Sequence, residues 1–302
     1  MQALSRKHPQ IVKLINIGYS SEGRPLLAVK VGRKFTKNSI WIDAGMHARE
    51  WIAPATAVYL LHELAENYEN TKEIQLILNK YSFYILPVVN PDGYDYSWKS
   101  VYERFWRKSR SKHNCTFWSC CVGVDLDRNF NISINLRGHP CRPDYPGPFP
   151  FSESETRAVS KFLSENQQHI LLAISLHSFG KLLTVPYSFK SDETYTARHF
   201  LQATAFKNEF YTLTQAYKNY KFSIGQEMDW IRLFTKIPLA YSIKLPPTPN
   251  EPYGFLLPED HIVPVSIQAF EGILNMLKLL LQQYKLKYHI VVCFLFAQCS
   301  RC

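Results

Sequence analysis

Residues 39–44 read Ser-Ile-Trp-Ile-Asp-Ala, a short β-favouring apolar run that Gly45 breaks, and beyond it the apolar positions Trp51, Ala55, Val58, Leu61, Leu64 and Ala65 fall at helical spacing. The pattern predicts a strand, a sharp break and a helix over 51–65. A second run, Ile170-Leu171-Leu172-Ala173-Ile174-Ser175-Leu176, predicts a buried strand with His177 at its carboxyl end. Ser152 and Glu155 stand three apart ahead of Val159, Phe162 and Leu163, which predicts a helix entered through a capping box. Ile267, Phe270, Ile273, Leu274, Leu277, Leu280 and Leu281 predict a long helix over about 265–286 whose apolar stripe packs in the core. Strands alternating with helices place the chain in the α/β class.

Composition narrows this picture only a little. At 302 residues and 46% hydrophobic the chain can bury a large core, and α/β domains of this size are commonly single units. The net charge of +10 is spread along the chain with no recognition motif beside it, so no nucleic-acid partner is expected, only a weak attraction to anionic surfaces. Seven cysteines leave at least one thiol unpaired or intermolecular. The adjacent pair Cys120-Cys121 lacks metal-ligand spacing, and the sequons Asn114-Cys115-Thr116 and Asn131-Ile132-Ser133 fit a secreted glycoprotein. An oxidising compartment follows, although residues 1–7 carry no apolar signal core. The apolar stretch 289–297 is too short to span a bilayer, and no transmembrane segment is expected.

Chemistry concentrates at the two strand ends. His47-Ala48-Arg49-Glu50 follows the first strand and His177 ends the second, the position at which open α/β sheets place their sites. Imidazole, carboxylate and imidazole suit zinc, and three protein ligands leave a fourth position for water or substrate. Arg107 lies in the basic run 102–113, which on its own reads as a solvated face. Arg128, among Asp125, Asp127 and Asn129, serves equally well as a structural salt-bridge residue.

Taken with their neighbours these residues resemble a known family. His-Ala-Arg-Glu-Trp-Ile at 47–52, Leu-Pro-Val-Val-Asn-Pro-Asp-Gly-Tyr at 86–94, Phe-Trp-Arg-Lys-Ser-Arg at 105–110, Gly-Val-Asp-Leu-Asp-Arg-Asn-Phe at 123–130, Ser-Leu-His-Ser at 175–178 and Tyr-Gly-Phe-Leu-Leu-Pro at 253–258 are similar, in order, to zinc carboxypeptidases of the A/B type over residues 8–285. The resemblance implies a single domain with a central twisted mixed β-sheet flanked by helices, spanning 1–286, with 287–302 as an atypical apolar, cysteine-containing tail. It implies a secreted, monomeric exopeptidase that removes C-terminal residues from peptides, with an inhibitory prosegment ahead of the catalytic part, inside which this chain begins. It also implies one zinc ion on His47, Glu50 and His177, an oxyanion-stabilising arginine at Arg107, a carboxylate-binding arginine at Arg128, a further substrate-side arginine at Arg49, and a Cys121–Cys141 disulfide. A fixed guanidinium stabilises a developing oxyanion, and its planar fork suits a carboxylate.

Three departures separate metal binding from turnover. Pro246 stands where the family carries its general-base glutamate, and proline accepts no proton. The segment between Tyr220 and Asp229 is shorter than its counterpart, and the lid tyrosine has no equivalent. Asp127 replaces an asparagine beside Arg128, which sets a carboxylate near a substrate carboxylate. The resemblance places Met228 at the floor of the specificity pocket, which favours apolar C-terminal side chains. Lys244 falls either on the pocket side of its strand, where a buried ammonium calls for an acidic partner, or on a solvent-facing edge. The chain therefore reads as a metallocarboxypeptidase, or as an inactive zinc-binding relative that captures peptide C-termini.

Overall fold

The computed structural model describes residues 1–34, 36–115, 120–132, 138–191, 211–216, 218 and 225–299. In chain order these form α1 (Gln2–Lys7), β1 (Val12–Tyr19), β2 (Pro25–Val31), β3 (Asn38–Ala44), α2 (Ile52–Glu66), α3 (Lys72–Lys80), β4 (Tyr81–Leu86), α4 (Pro91–Ser97), β5 (Asn114–Cys115), β6 (Cys120–Cys121), α5 (Ser154–Asn166), β7 (Ile170–Ser178), β8 (Leu182–Val185), β9 (Thr212–Gln215), α6 (Glu227–Phe234), β10 (Leu239–Leu245) and α7 (Ile262–Cys299). Eight strands make one sheet in the order β1-β2-β4-β3-β7-β10-β8-β9, and β5 and β6 form a separate two-residue pairing. The sheet is mixed. β4, β3, β7 and β10 run parallel at its centre, while β1, β2 and β8 make antiparallel pairings.

Both faces of the sheet are covered, and this is why its central strands read as unbroken apolar runs. Ile40 and Ile42 of β3 belong to one apolar cluster with Leu60 and Leu61 of α2 and Ile273 and Leu277 of α7. Trp41 belongs to the opposite cluster with Val159 and Leu163 of α5 and Ile231 of α6. Alternate residues of a single strand thus build two cores. The stretch Glu259–Gln282 is long and apolar enough to cross a membrane by length and composition, but half of it is buried within the protein. Its stripe is a core-packing surface, as its periodicity predicts. The helix runs without a break across 286–287.

Two expectations need correction. The capping box does not form: α5 begins at Ser154 with Glu153 as its cap residue and no side-chain cap bond. Ser152 Oγ instead donates to Glu153 Oε1 at 2.8 Å, and Glu155 Oε1 accepts from the Ser21 backbone N–H at 3.0 Å. Tertiary partners outcompete the local cap. Second, Lys244 is not on a sheet edge, because β10 lies between β7 and β8. The Cys121–Cys141 disulfide is present, with Cα atoms 4.8 Å apart. Thr116 and Ser133 of the sequons, and residues 219–224 of the shortened lid segment, lie outside the described residues.

Two buried acids outside the strand-end triad give the fold a pH dependence. Burial pushes the Glu155 carboxyl up to about 7. It also pushes Asp229, which accepts from the Ser188 N–H and hydroxyl, up to about 7. The folded protein thus holds protons that the unfolded chain, with ordinary values of 3.8 and 4.5, releases earlier. This contribution to stability is full below pH ~4 and is lost as pH rises through ~7. Urea unfolding of the metal-free protein is expected to show stability falling between pH 5 and pH 8, with a shallower fall in Glu155→Gln. An unchanged slope in the variant would remove Glu155 from the account.

Candidate metal centre

β3 and β7 are parallel neighbours, with Ala44 opposite Leu176. Their carboxyl ends therefore open side by side. Gly45, at φ +64°, turns the chain directly after β3 where a Cβ would meet Pro54 Cγ at 3.0 Å and Pro87 O at 3.2 Å, a conformation glycine adopts without strain. The turn delivers His47 and Glu50 to the start of α2, and His177 reaches the same point as the penultimate residue of β7. Their ligand atoms lie within 4.8 Å of one another, and all three residues are buried. His47 Nδ1 is 2.9 Å from Glu50 Oε1, His177 Nδ1 is 3.0 Å from Glu50 Oε2, and the two Nδ1 atoms are 3.2 Å apart.

The surrounding hydrogen bonds decide what these atoms can do. His47 Nε2 donates to Asp125 Oδ1 at 3.1 Å. Ser175 Oγ donates to Asp43 Oδ1 at 2.6 Å and so accepts from His177 Nε2 at 3.1 Å. Both imidazoles are thereby held with the proton on Nε2, which leaves two Nδ1 lone pairs and a carboxylate facing one another. Four ligands about 2.0 Å from a tetrahedral zinc stand roughly 3.3 Å apart, close to the separations found. The donor set fits a metal ion. Burial alone would raise the Glu50 carboxyl, but His47 and His177 hold it well below the ordinary range, ionised for ligation.

Asp125 is the hub behind the site. It is fully buried and accepts from Arg107 Nε and Nη2 at 3.1 and 2.9 Å, from Arg128 Nε at 3.1 Å and from His47. Burial would raise this carboxyl, yet Arg107, His47 and Arg128 hold it well below the usual carboxylate range. Arg128 is tied to Asp125 as a salt-bridge residue and also lines the cleft. Gly225 packs on its backbone so closely that a Cβ would lie 2.1 Å from Arg128 O.

In front of the three ligands lies a cleft of roughly 400 Å³, into which Arg49, Arg107, Asp127, Arg128, Lys244 and Phe255 also face. The Arg49 guanidinium lies 4.2 Å from the Phe255 ring centre, and among the described residues its buried Nε has no hydrogen-bond partner. Asp127 Oδ1 accepts the Glu227 backbone N–H at 3.2 Å. Beneath this contact the Glu227 carboxyl is fully buried, and burial, Asp43 and Asp127 together raise it well above the ordinary range. Met228 is only 5% exposed and packs in the apolar cluster with Phe130 and Trp230. It is not among the cleft's described lining residues.

Pro246 directly follows Leu245, whose register partner is Ser178, one residue beyond His177. The chain is pinned there by Gly180 N, which donates to Leu245 O at 3.1 Å and to Pro247 O at 2.8 Å. The nearest downstream carboxylate in sequence, Glu251, is exposed and accepts from the Thr248 N–H and hydroxyl at 2.6 and 2.7 Å. It does not line the cleft. Sequence reasoning did not identify Asp125, Ser175 and Asp43 as ligand-orienting residues. The one available signal was a charged residue, Asp43, inside an otherwise apolar strand.

Comparison with known proteins accords with this geometry. The zinc carboxypeptidase family model matches residues 1–272. Carboxypeptidase O of Bos taurus is 34% identical over 297 residues, covering 94% of this chain and 77% of its own length. Carboxypeptidase A6 of Homo sapiens is 36% identical over 297 residues, covering 94% and 66%. Among solved structures, bovine thrombin-activatable fibrinolysis inhibitor in complex with tick carboxypeptidase inhibitor superposes with a TM-score of 0.82 at 33% identity, covering 93% of this chain and 94% of that one. With the strand-end ligand triad, the mixed sheet and a match over most of its length, the chain belongs to the zinc carboxypeptidase family.

Proposed function

We propose that this protein holds one zinc ion on His47, Glu50 and His177 and captures the C-termini of peptides in the adjoining cleft, with little or no hydrolysis. Zinc bound there would supply Lewis acidity. The chain's own residues supply the rest. Arg128 and Arg107, fixed by Asp125, and Arg49, with its unengaged buried N–H, present guanidinium donors to a terminal carboxylate. The reading is carried by one observation: among the described residues the cleft gathers His47, Glu50, His177, Arg49, Arg107 and Arg128 but no carboxylate without a hydrogen-bonding or ionic partner. Its described carboxylates are Glu50, enclosed by two histidines, Asp127, which accepts a backbone N–H, and Asp144, paired with Arg142. Pro246 cannot take the role.

Calorimetric titration of the zinc-loaded protein with a short peptide and its C-terminal amide tests this. The free acid is expected to bind at least about tenfold tighter, the scale of one lost charge-assisted contact. Equal affinities would refute carboxylate capture. Release of the C-terminal amino acid well above a metal-free control would refute the non-hydrolytic reading and favour the metallocarboxypeptidase one.

A further inference from the structure

We propose that the end of the sheet opposite the metal centre binds a sulfated polysaccharide, with the cavity beside Arg33 receiving one of its sulfate groups. The site requires neither zinc nor a peptide C-terminus.

Topology gathers the charge. β3 and β4 are parallel, with Asn38 opposite Tyr81, so their amino ends lie together, away from the carboxyl ends that carry the metal ligands. β2 runs antiparallel to β4, with Val31 opposite Phe83, and β1 antiparallel to β2, with Val12 opposite Val31. That end therefore collects Lys13 at the start of β1, Lys30 near the end of β2, Arg33 and Lys34 just after it, Lys37 just before β3 and Lys80 just before β4. Acids are not collected with them. Residues 1–43 hold two, Glu22 in the β1–β2 turn at the opposite end and the buried Asp43. Glu66 and Glu73, on α2 and α3, are paired with Lys7 and Lys278. Positive charge that is spread along the sequence is concentrated by the fold.

A cavity of about 470 Å³ lies at this end. Its lining offers the Arg33 guanidinium, the Lys34 ammonium and the amides of Gln10 and Asn79, and no carboxylate among the described residues. Arg33 Nη1 donates to Asn79 Oδ1, a neutral acceptor, at 3.3 Å. Beside the cavity, Lys13 and Lys30 are directly opposite in the β1–β2 ladder, an arrangement of like charges that costs stability. Lys30 is half-buried with its Nζ 5.6 Å from the Tyr84 ring centre, and burial lowers its pKa with no carboxylate acting against it. A polyanion laid across these strand ends offsets both costs.

The surroundings favour a polysaccharide over other polyanions. Insertion into a lipid surface calls for exposed apolar side chains, and Ile11, which lines the cavity, is buried. Base stacking calls for an open aromatic face, and Tyr68, the aromatic residue of the lining, packs against the apolar core. A guanidinium fork suits a tetrahedral oxyanion. The Cys121–Cys141 disulfide fits an oxidising compartment, where sulfated polysaccharides are available as partners.

Calorimetric titration of the full chain with a heparin oligosaccharide tests the proposal, with and without zinc. Affinity is expected to fall steeply with salt and to be the same in both metal states. Arg33→Ala is expected to weaken binding about tenfold and Lys37→Ala about threefold, each making the slope of log affinity against log salt shallower by about one. Lys99→Ala, which removes the same charge near the carboxyl end of β4, is expected to leave affinity and slope unchanged. Absence of binding at low salt overturns the inference, as does a loss in Lys99→Ala equal to that in Arg33→Ala, which would make net charge the cause. Equal affinity for a single-stranded DNA oligonucleotide of the same charge overturns the choice of polysaccharide. C-terminus capture can fail without affecting any of these results.

Discussion

Asp125→Ala is expected to destabilise the metal-free protein by about 3–5 kcal/mol, the cost of removing one partner from a buried ion pair. Asp125 is fully buried and joins His47, Arg107 and Arg128, so its loss strands two guanidinium groups and frees an imidazole at once. Urea unfolding measures the first effect. Competition with a chromophoric chelator measures a second: zinc affinity is expected to drop about 10–100-fold, because an outer partner that fixes ring orientation contributes on that scale. Asp125→Asn keeps the shape and an acceptor for His47, so its affinity loss should be the smaller of the two. A loss of stability below ~1 kcal/mol in the alanine variant would show that Asp125 is not the hub.

His177→Ala is expected to remove zinc binding and, with it, all stabilisation by the metal. A ligand present at 100–1,000 times its dissociation constant stabilises the native state by about 2.7–4.1 kcal/mol. The wild-type protein should gain that much on adding zinc and lose it to a chelator, whereas the variant should unfold at the same denaturant concentration in either condition. The imidazole is irreplaceable in this sense if nothing else completes the site. Among the described residues, the group of metal-ligating side chains able to hold an ion is the one formed by His47, Glu50 and His177. Zinc-dependent stabilisation that persists in His177→Ala would place the metal elsewhere.

The legible part of this chain was the part governed by local pattern. Residues 39–44 and 170–176 read as strands and 51–65 as a helix because apolar spacing reports which faces are buried, and the structure places β3, β7 and α2 there. The capping box misled because its two side chains were claimed by Asn129 Nδ2, which donates to Ser152 Oγ at 2.9 Å, and by Ser21, contacts 23 and 134 residues away. A local rule competes with partners it cannot see.

The sequence by itself determined the α/β class, the two strand ends and which metal-ligating residue types stand there, because alternation and residue type are written in order along the chain. Only the tertiary structure decided that both imidazoles present Nδ1, that Asp125 binds a histidine and two arginines, and that Lys244 opens into the cleft rather than onto an edge. Strand order and register set His177 beside Lys244, whereas His47 meets Asp125, 78 positions away, through loop packing in which Ala48 N donates to Arg107 O at 3.1 Å and Ser109 N to Val124 O at 2.9 Å. Separation along the chain carries no information about either proximity.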